Sequence, residues 1–276
     1  MSVTNEDILA LAEGIDLPNQ TETVAGGDYE RPLPAEGITR LRLIEYIELG
    51  KQKKTFKGEE KWVEQVSIGF ELSGPKHPAP ENGEPFVIRW RDTYSMSDRA
   101  KFPKLFAKLN HTGLKTHAAQ MLGEAFAGRV YHYQKKDADG KVIATYANLH
   151  SKEDGFSFKG PFREIENEDG TVERVEINVE PAKSKLRLFI FDRATKAMWD
   201  SLYIPGKYDD RQDKDGTIIP GKSKNYWQET IMAAKNWVEC PMFELVSAGG
   251  ETGIGDAEKP ARSGNTGASA DPLEDM

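Results

Sequence analysis

The sequence predicts a mainly β (α+β) fold: a five-stranded barrel-like sheet with a helical insertion, a long β-hairpin arm and C-terminal helices. Three observations lead there. Apolar residues recur with a period of two in successive segments between Thr39 and Tyr94, the signature of half-buried strands. That period is broken by the helical spacing of Phe102, Leu105, Phe106 and Leu109. Asp-Gly pairs at 139–140, 169–170 and 215–216 are strong two-residue turn signals.

Each element follows in order. Residues 1–37 form an acidic leader, a short helix around Ile8, Leu9, Leu11 and Ala12 and then Gly/Pro-rich chain. In TRLRLIEYIELG, Leu41, Leu43, Ile47 and Leu49 make one alternating set. KWVEQVSIGFEL sets Trp62, Val66, Ile68, Phe70 and Leu72 against Val63, Gln65, Ser67 and Gly69. A Pro/Gly-rich loop leads to a third strand, FVIRWRDTY. MSDRAKFPKLFAKLN is the inserted helix, with Pro103 tolerable only near its start, and THAAQMLGEAF is a weaker one. GRVYHYQKK and KVIATYANL make a hairpin closed at Asp139-Gly140. Strand–strand–strand–helix–hairpin is the order of a small five-stranded OB-like barrel.

Beyond the barrel, FREIENEDGTVERVEINVE is a charged two-stranded arm inserted within 156–190, and KLRLFIF adds a strand. Two short helices occupy 192–238, the second with Trp227, Ile231, Ala234 and Val238 on one face. The domain is expected to span 38–247. Residues 248–276 are a flexible acidic tail by composition.

Composition excludes several classes. No run of about 18 apolar residues is present, so no membrane span is expected. The N-terminus lacks a basic-then-apolar signal pattern, so the protein is expected not to be secreted. A single cysteine, Cys240, excludes an internal disulfide framework and a Cys-based zinc site. The net charge of −8 conceals a division: −7 over residues 1–39, +6 over 40–150, −3 over 151–247 and −4 over 248–276. Local potential, rather than the sum, steers a polyanion.

Catalytic chemistry is not evident. Gly216 to Ser223 spells G-x-x-x-x-G-K-S, but charged Asp209 to Lys214 precede it where a phosphate loop needs a buried strand. A calcium loop through Asp213, Asp215 and Gly216 fails, because Arg211 and Lys222 stand where carboxylates are needed. His77, His111, His117, His132 and His150 show no metal-ligand spacing, and no G-x-S-x-G elbow exists. The chain is therefore expected to be non-enzymatic, with no cofactor and no metal.

The informative pattern is positive charge interleaved with rings. It comprises Lys51, Lys53, Lys54, Phe56, Lys57, Lys61 and Trp62; then Arg89, Trp90, Arg91, Tyr94, Lys101 and Lys104; then Arg129, Tyr131, Tyr133, Lys135 and Lys136. Single-stranded DNA needs both kinds of residue, cations for phosphates and ring faces for unpaired bases. Parity grades the rings. Phe56 lies in a turn, and Tyr131 and Tyr133 share a face opposite Val130 and His132. Trp62 shares parity with Val66 and Ile68, which leaves core and surface both open, and Trp90 shares it with Phe86 and Ile88.

RLRLIEYIELGKQKKTFKGEEKWVEQVSIGFEL, PFVIRWRDTYSMSDRAKFPKLFAKLN, GEAFAGRVYHYQ and YANL together resemble a family of bacteriophage single-stranded-DNA-binding proteins with an OB fold. The resemblance covers roughly residues 38–150. It implies a protein that coats exposed strands and recruits replication and recombination proteins in the cytoplasm of an infected bacterial host, with weak self-association. The ending SGNTGASADPLEDM resembles the acidic tips of such proteins. Asp271, Glu274 and Asp275 would meet a basic pocket on a partner while Leu273 and Met276 fill its apolar floor. Met276 stands where the bacterial tip usually has an aromatic ring. The 156–190 arm and the 205–225 loop look like insertions. A virion or assembly protein with a structural β domain is the competing expectation, and a nuclease or NTPase using 216–223 a third.

Overall fold

The computed structural model describes residues 33–56, 58–78, 84–212 and 216–248. Its spine is β1 (Gly37–Phe56), antiparallel to β2 (Glu59–Ser73), which pairs in turn with β3 (Val87–Thr93). On the other edge of β1, residues 37–42 pair with β4 (Ala125–Lys136), and β4 pairs with β5 (Val142–Asn148). Three short antiparallel pairs follow the same chain: β6 (His150–Ser151) with β7 (Gly155–Phe156), β8 (Phe162–Glu166) with β9 (Val172–Glu176), and, beyond β10, β11 (Arg211–Gln212) with β12 (Ile218–Ile219). β10 (Arg187–Phe189) joins β1 in parallel, opposite Glu45–Ile47.

The protein is thus mainly β around a large, mostly antiparallel sheet of order β3-β2-β1-β4-β5. Among the described residues no hydrogen bonds close this sheet into a barrel, although Cα atoms of β3 and β5 come within 8 Å. The helices are α1 (Lys101–Leu109), α2 (Lys196–Leu202), α3 (Tyr226–Met232) and α4 (Met242–Ser247). No described helix is long and apolar enough to cross a membrane.

Two irregularities in β1, between Leu43 and Glu45 and between Glu48 and Gly50, decide the layering. A bulge adds a residue to one strand and reverses which face the following side chains take. Leu41, Leu43 and Tyr46 therefore pack in one core with Val66, Ile68, Phe70, Ile88 and Trp90, under Phe102, Leu105 and Leu109 of α1. Ile47 and Leu49 point the other way, into a second core with Phe189, Trp199, Leu202, Trp227 and Ile231. The expectation that Leu41, Leu43, Ile47 and Leu49 share a face is corrected by these bulges.

Two helical expectations are also corrected. The weak helix over 116–126 shrinks to a 3₁₀ turn at Ala118–Met121, because Leu122 leaves helical backbone (φ −58°, ψ 127°). Val238 is 67% exposed, since α3 stops at Met232 and a separate 3₁₀ turn at Trp237–Glu239 resets the period. Trp237 instead stacks on buried Trp199 at 5.5 Å.

The two layers are joined by charge. Glu45 is fully buried. Its Oε2 accepts from Arg89 Nε (2.6 Å), and its Oε1 accepts from Arg89 Nη2 (2.9 Å) and Arg187 Nη1 (2.7 Å). Gly69 makes room: an added Cβ would lie 2.6 Å from Glu45 Oε2. A strap over 178–184 crosses the same face. Arg42 donates to the carbonyls of Gly123, Val179 and Glu180, while Glu71 accepts from the Lys183 and Ser184 amides.

Removing one partner of a buried ion pair leaves uncompensated charge, at about 3–5 kcal/mol. Glu45→Ala is therefore expected to lower the unfolding free energy measured by urea titration by that much, and Gly69→Ala to lower it too. A loss below about 1 kcal/mol for Glu45→Ala, an ordinary surface effect, would contradict the clamp.

Candidate nucleic-acid interface

Ion pairs sort the cations singled out in the sequence. Lys53 Nζ lies 2.5 Å from Glu60 Oε2, and Lys54 Nζ lies 2.7 Å from Asp92 Oδ1. Lys101 reaches the other Asp92 oxygen at 4.0 Å. Arg89 is clamped on Glu45, with its guanidinium 5.9 Å from the Trp227 ring. A carboxylate already beside a cation competes with any phosphate. Arg91 donates to Gln65 Oε1 and Tyr226 Oη, each at 2.7 Å. Lys51 ties the sheet to the helical layer through its backbone, its N–H donating to Asn236 Oδ1 and its carbonyl accepting from Lys235. Lys104 is exposed on α1.

The rings divide as well. Trp90 is corrected: it is 5% exposed and packs edge-on against Phe156, since its alternation in β3 faces the core, so no base can stack on it. Tyr94 is half-buried and edge-on to Phe102. Phe56 and Trp62, at the end of the β1–β2 hairpin, are 60% and 44% exposed. Trp62 keeps the parity of Val66, but the hairpin outruns the core before reaching it. It lies across from Lys53, with Lys235 Nζ 5.7 Å from its ring. Lys57 and the tail residues Asp271, Leu273, Glu274, Asp275 and Met276 lie outside the described residues.

The β4–β5 hairpin assembles the most coherent surface. Alternation along β4 puts Arg129, Tyr131, Tyr133 and Lys135 on one face, and the register sets Tyr146 directly opposite Tyr133. All three tyrosines are half-buried, and the Arg129 guanidinium sits 5.8 Å from the Tyr131 ring centre. Arg129, Lys135 and Lys136 have no ion pair with a described residue. Tyr146 was not singled out in the sequence. The Asp139-Gly140 turn carried the signal, because counting outward from it brings Tyr146 into the neighbourhood of Tyr133.

Two other features fail as sites for phosphate. In the stretch from Gly216 to Ser223, the Gly221 N–H that a phosphate loop would aim at its ligand donates instead to Asp210 Oδ1 at 2.7 Å. Gly221 is pressed on the Tyr208 carbonyl, where an added Cβ would collide. Among the described residues β12 pairs only with β11. A cleft of about 790 Å³ is lined by Glu48, Glu64, Tyr94, His117, Asp192 and Glu239, among others. Glu48 accepts from Tyr46 Oη and the Phe191 amide, both at 2.9 Å. Burial holds its carboxyl above the usual range and pushes up the Tyr46 hydroxyl. Its carboxylates repel a polyanion. Among the described residues no group of three His, Cys, Asp or Glu is placed to hold a metal.

No protein-family model, no curated protein and no solved structure matches the chain.

Gly221→Ala is expected to lower the melting temperature, whereas Lys222→Ala, an exposed side chain, leaves it within the range of about 0.5 kcal/mol for surface changes. An ATP-dependent rise in melting temperature, abolished by Lys222→Ala, would reverse this assignment.

Proposed function

We propose that the chain is a non-enzymatic, largely sequence-independent single-stranded-DNA-binding protein that supports phage DNA replication and recombination. The observation that carries this is the β4–β5 face: Tyr131, Tyr133 and Tyr146 presented half-exposed beside Arg129 and Lys135, cations with no ion pair to a described residue. Ring faces serve unpaired bases, which a duplex hides within its stack, and stacking contributes about 1–3 kcal/mol per base whatever the sequence. Phe56 and Trp62 at the β1–β2 tip supply a second stacking point, with Lys235 above the indole.

The strand order β3-β2-β1-β4-β5 supports an OB-like barrel left open between β3 and β5, as in the phage family that the sequence resembles. On this reading the protein works in the cytoplasm of an infected bacterial host. Its acidic tail, through Asp271, Leu273, Glu274, Asp275 and Met276, recruits replication or recombination proteins.

Fluorescence titration of labelled oligo-dT against a duplex of equal length tests the reading. Oligo-dT is expected to bind more tightly, with salt-sensitive affinity. Tyr133→Ala and Tyr146→Ala are each expected to raise Kd about 5- to 150-fold, the equivalent of one lost stack. Equal affinity for duplex, or unchanged affinity in both variants, would sink it. Deleting residues 264–276 is expected to leave oligo-dT affinity unchanged or tighter while pull-down of replication proteins fails. A weaker Kd for the truncated chain would show the tail to be part of the DNA site.

A further inference from the structure

A groove of about 560 Å³ lies where the base of the β8–β9 arm meets the N-terminal half of β1. Its lining includes the apolar Ile38, Ala127 and Ile177 and the cations Arg40, Lys76 and Arg163. We infer that this groove binds one nucleotide of a single strand, as the continuation of the tyrosine face; the inference rests on the DNA-binding reading above.

Continuity is the first argument. Register pairs Ile38 with Arg129 and Arg40 with Ala127. β4 alternates without interruption from Ala127 to Lys135, so Ala127, Arg129, Tyr131, Tyr133 and Lys135 form one row. At 3.3 Å per residue that row is about 26 Å long, and the groove opens at its end.

Charge is the second. Arg40, Lys76, Arg129 and Arg163 have no ion pair with a described residue, and Glu176 is the one carboxylate lining the groove. Among the described residues, Lys76 Nζ hydrogen-bonds only the Glu36 carbonyl, at 3.4 Å. These cations differ in this from Lys53, Lys54 and Arg89, whose charge is already countered.

The apolar lining is the third. Ile38 is 71% exposed on a sheet face, a surface that favours a flat apolar partner. A base laid on Ile38 and Ile177 puts its phosphates among the three lining cations. The arm also acquires a role. A lone two-stranded hairpin is marginal in water, yet the base of this one is fixed. Arg174 lies 4.7 Å over the Phe162 ring and donates to Glu164, while the Ile177 amide donates to the Pro161 carbonyl. Arg163 and Ile177 are thereby held in place in the lining of the groove.

The test is oligo-dT binding by Arg40→Ala/Arg163→Ala across a salt series. Each lost phosphate contact flattens the dependence of log K on log salt by roughly 0.7 for a single strand, so the double variant should lose about 1.4 of slope. Affinity for an oligo-dT long enough to reach the groove should fall at least tenfold, and that for one covering only the tyrosine row should stay. Arg163→Glu, at an exposed position, should weaken the long oligo alone without moving the melting temperature, and Arg40→Lys/Arg163→Lys should restore most of the slope. If the wild-type chain prefers oligo-dT but both Arg variants match it in slope and affinity, the groove is excluded and the tyrosine face stands. If the wild-type chain has no such preference, both assignments fall together.

Discussion

A buried carboxylate between two guanidiniums determines which surfaces this protein has left to use. Burying the Glu45 carboxylate is costly unless it is paired and hydrogen-bonded, and its two partners come from separate strands: Arg89 from β3, Arg187 from β10, 142 residues along the chain from Glu45. Satisfying that charge brings β10 parallel to β1 and lays the helices carrying Trp199 and Trp227 over the sheet. This layer covers one face of β1, β2 and β3. The uncovered part of the same face lies at β4 and β5, and there the tyrosines are found.

The bulges in β1 make this covering possible. A regular strand of 20 residues would keep its apolar set on one side and leave the other polar. With an extra residue after Leu43 and again after Glu48, β1 serves one core with Leu41, Leu43 and Tyr46 and a second with Ile47 and Leu49. The helical layer thus rests on apolar contact as well as on the ion pair, and each helps to fix the geometry of the other.

Much of the architecture was legible in the amino acids, and what was not has physical causes. Period-two alternation locates β1, β2 and β3, the Phe102/Leu105/Leu109 spacing locates α1, and the Asp-Gly turn locates the β4–β5 hairpin. Bulges were invisible because they change register without changing composition. Parity identifies Trp90 as a core residue, but it cannot tell where a core ends, so Trp62 stayed open until the hairpin proved longer than its packing partners. Arg89 misled for a different reason. A cation's local neighbours say that it is positive, but not that a carboxylate 44 positions earlier neutralises it.

That distinction between counted and available charge bears most directly on function. The cations of residues 40–150 include Lys53, Lys54 and Arg89, each held by an acid of the same span, so the excess of +6 resides in other side chains. Among the described residues Arg129, Lys135 and Lys136, and farther along Arg40, Lys76 and Arg163, have no such partner, and they border the β4–β5 face and the groove beside it. The carboxylates of Glu48, Glu64, Asp192 and Glu239 gather around a separate cleft. On the proposed DNA-binding reading, a strand approaching such a surface would be drawn by one region and repelled by the other. Its path is set by where pairing leaves charge uncompensated, which the folded chain decides and no residue count can.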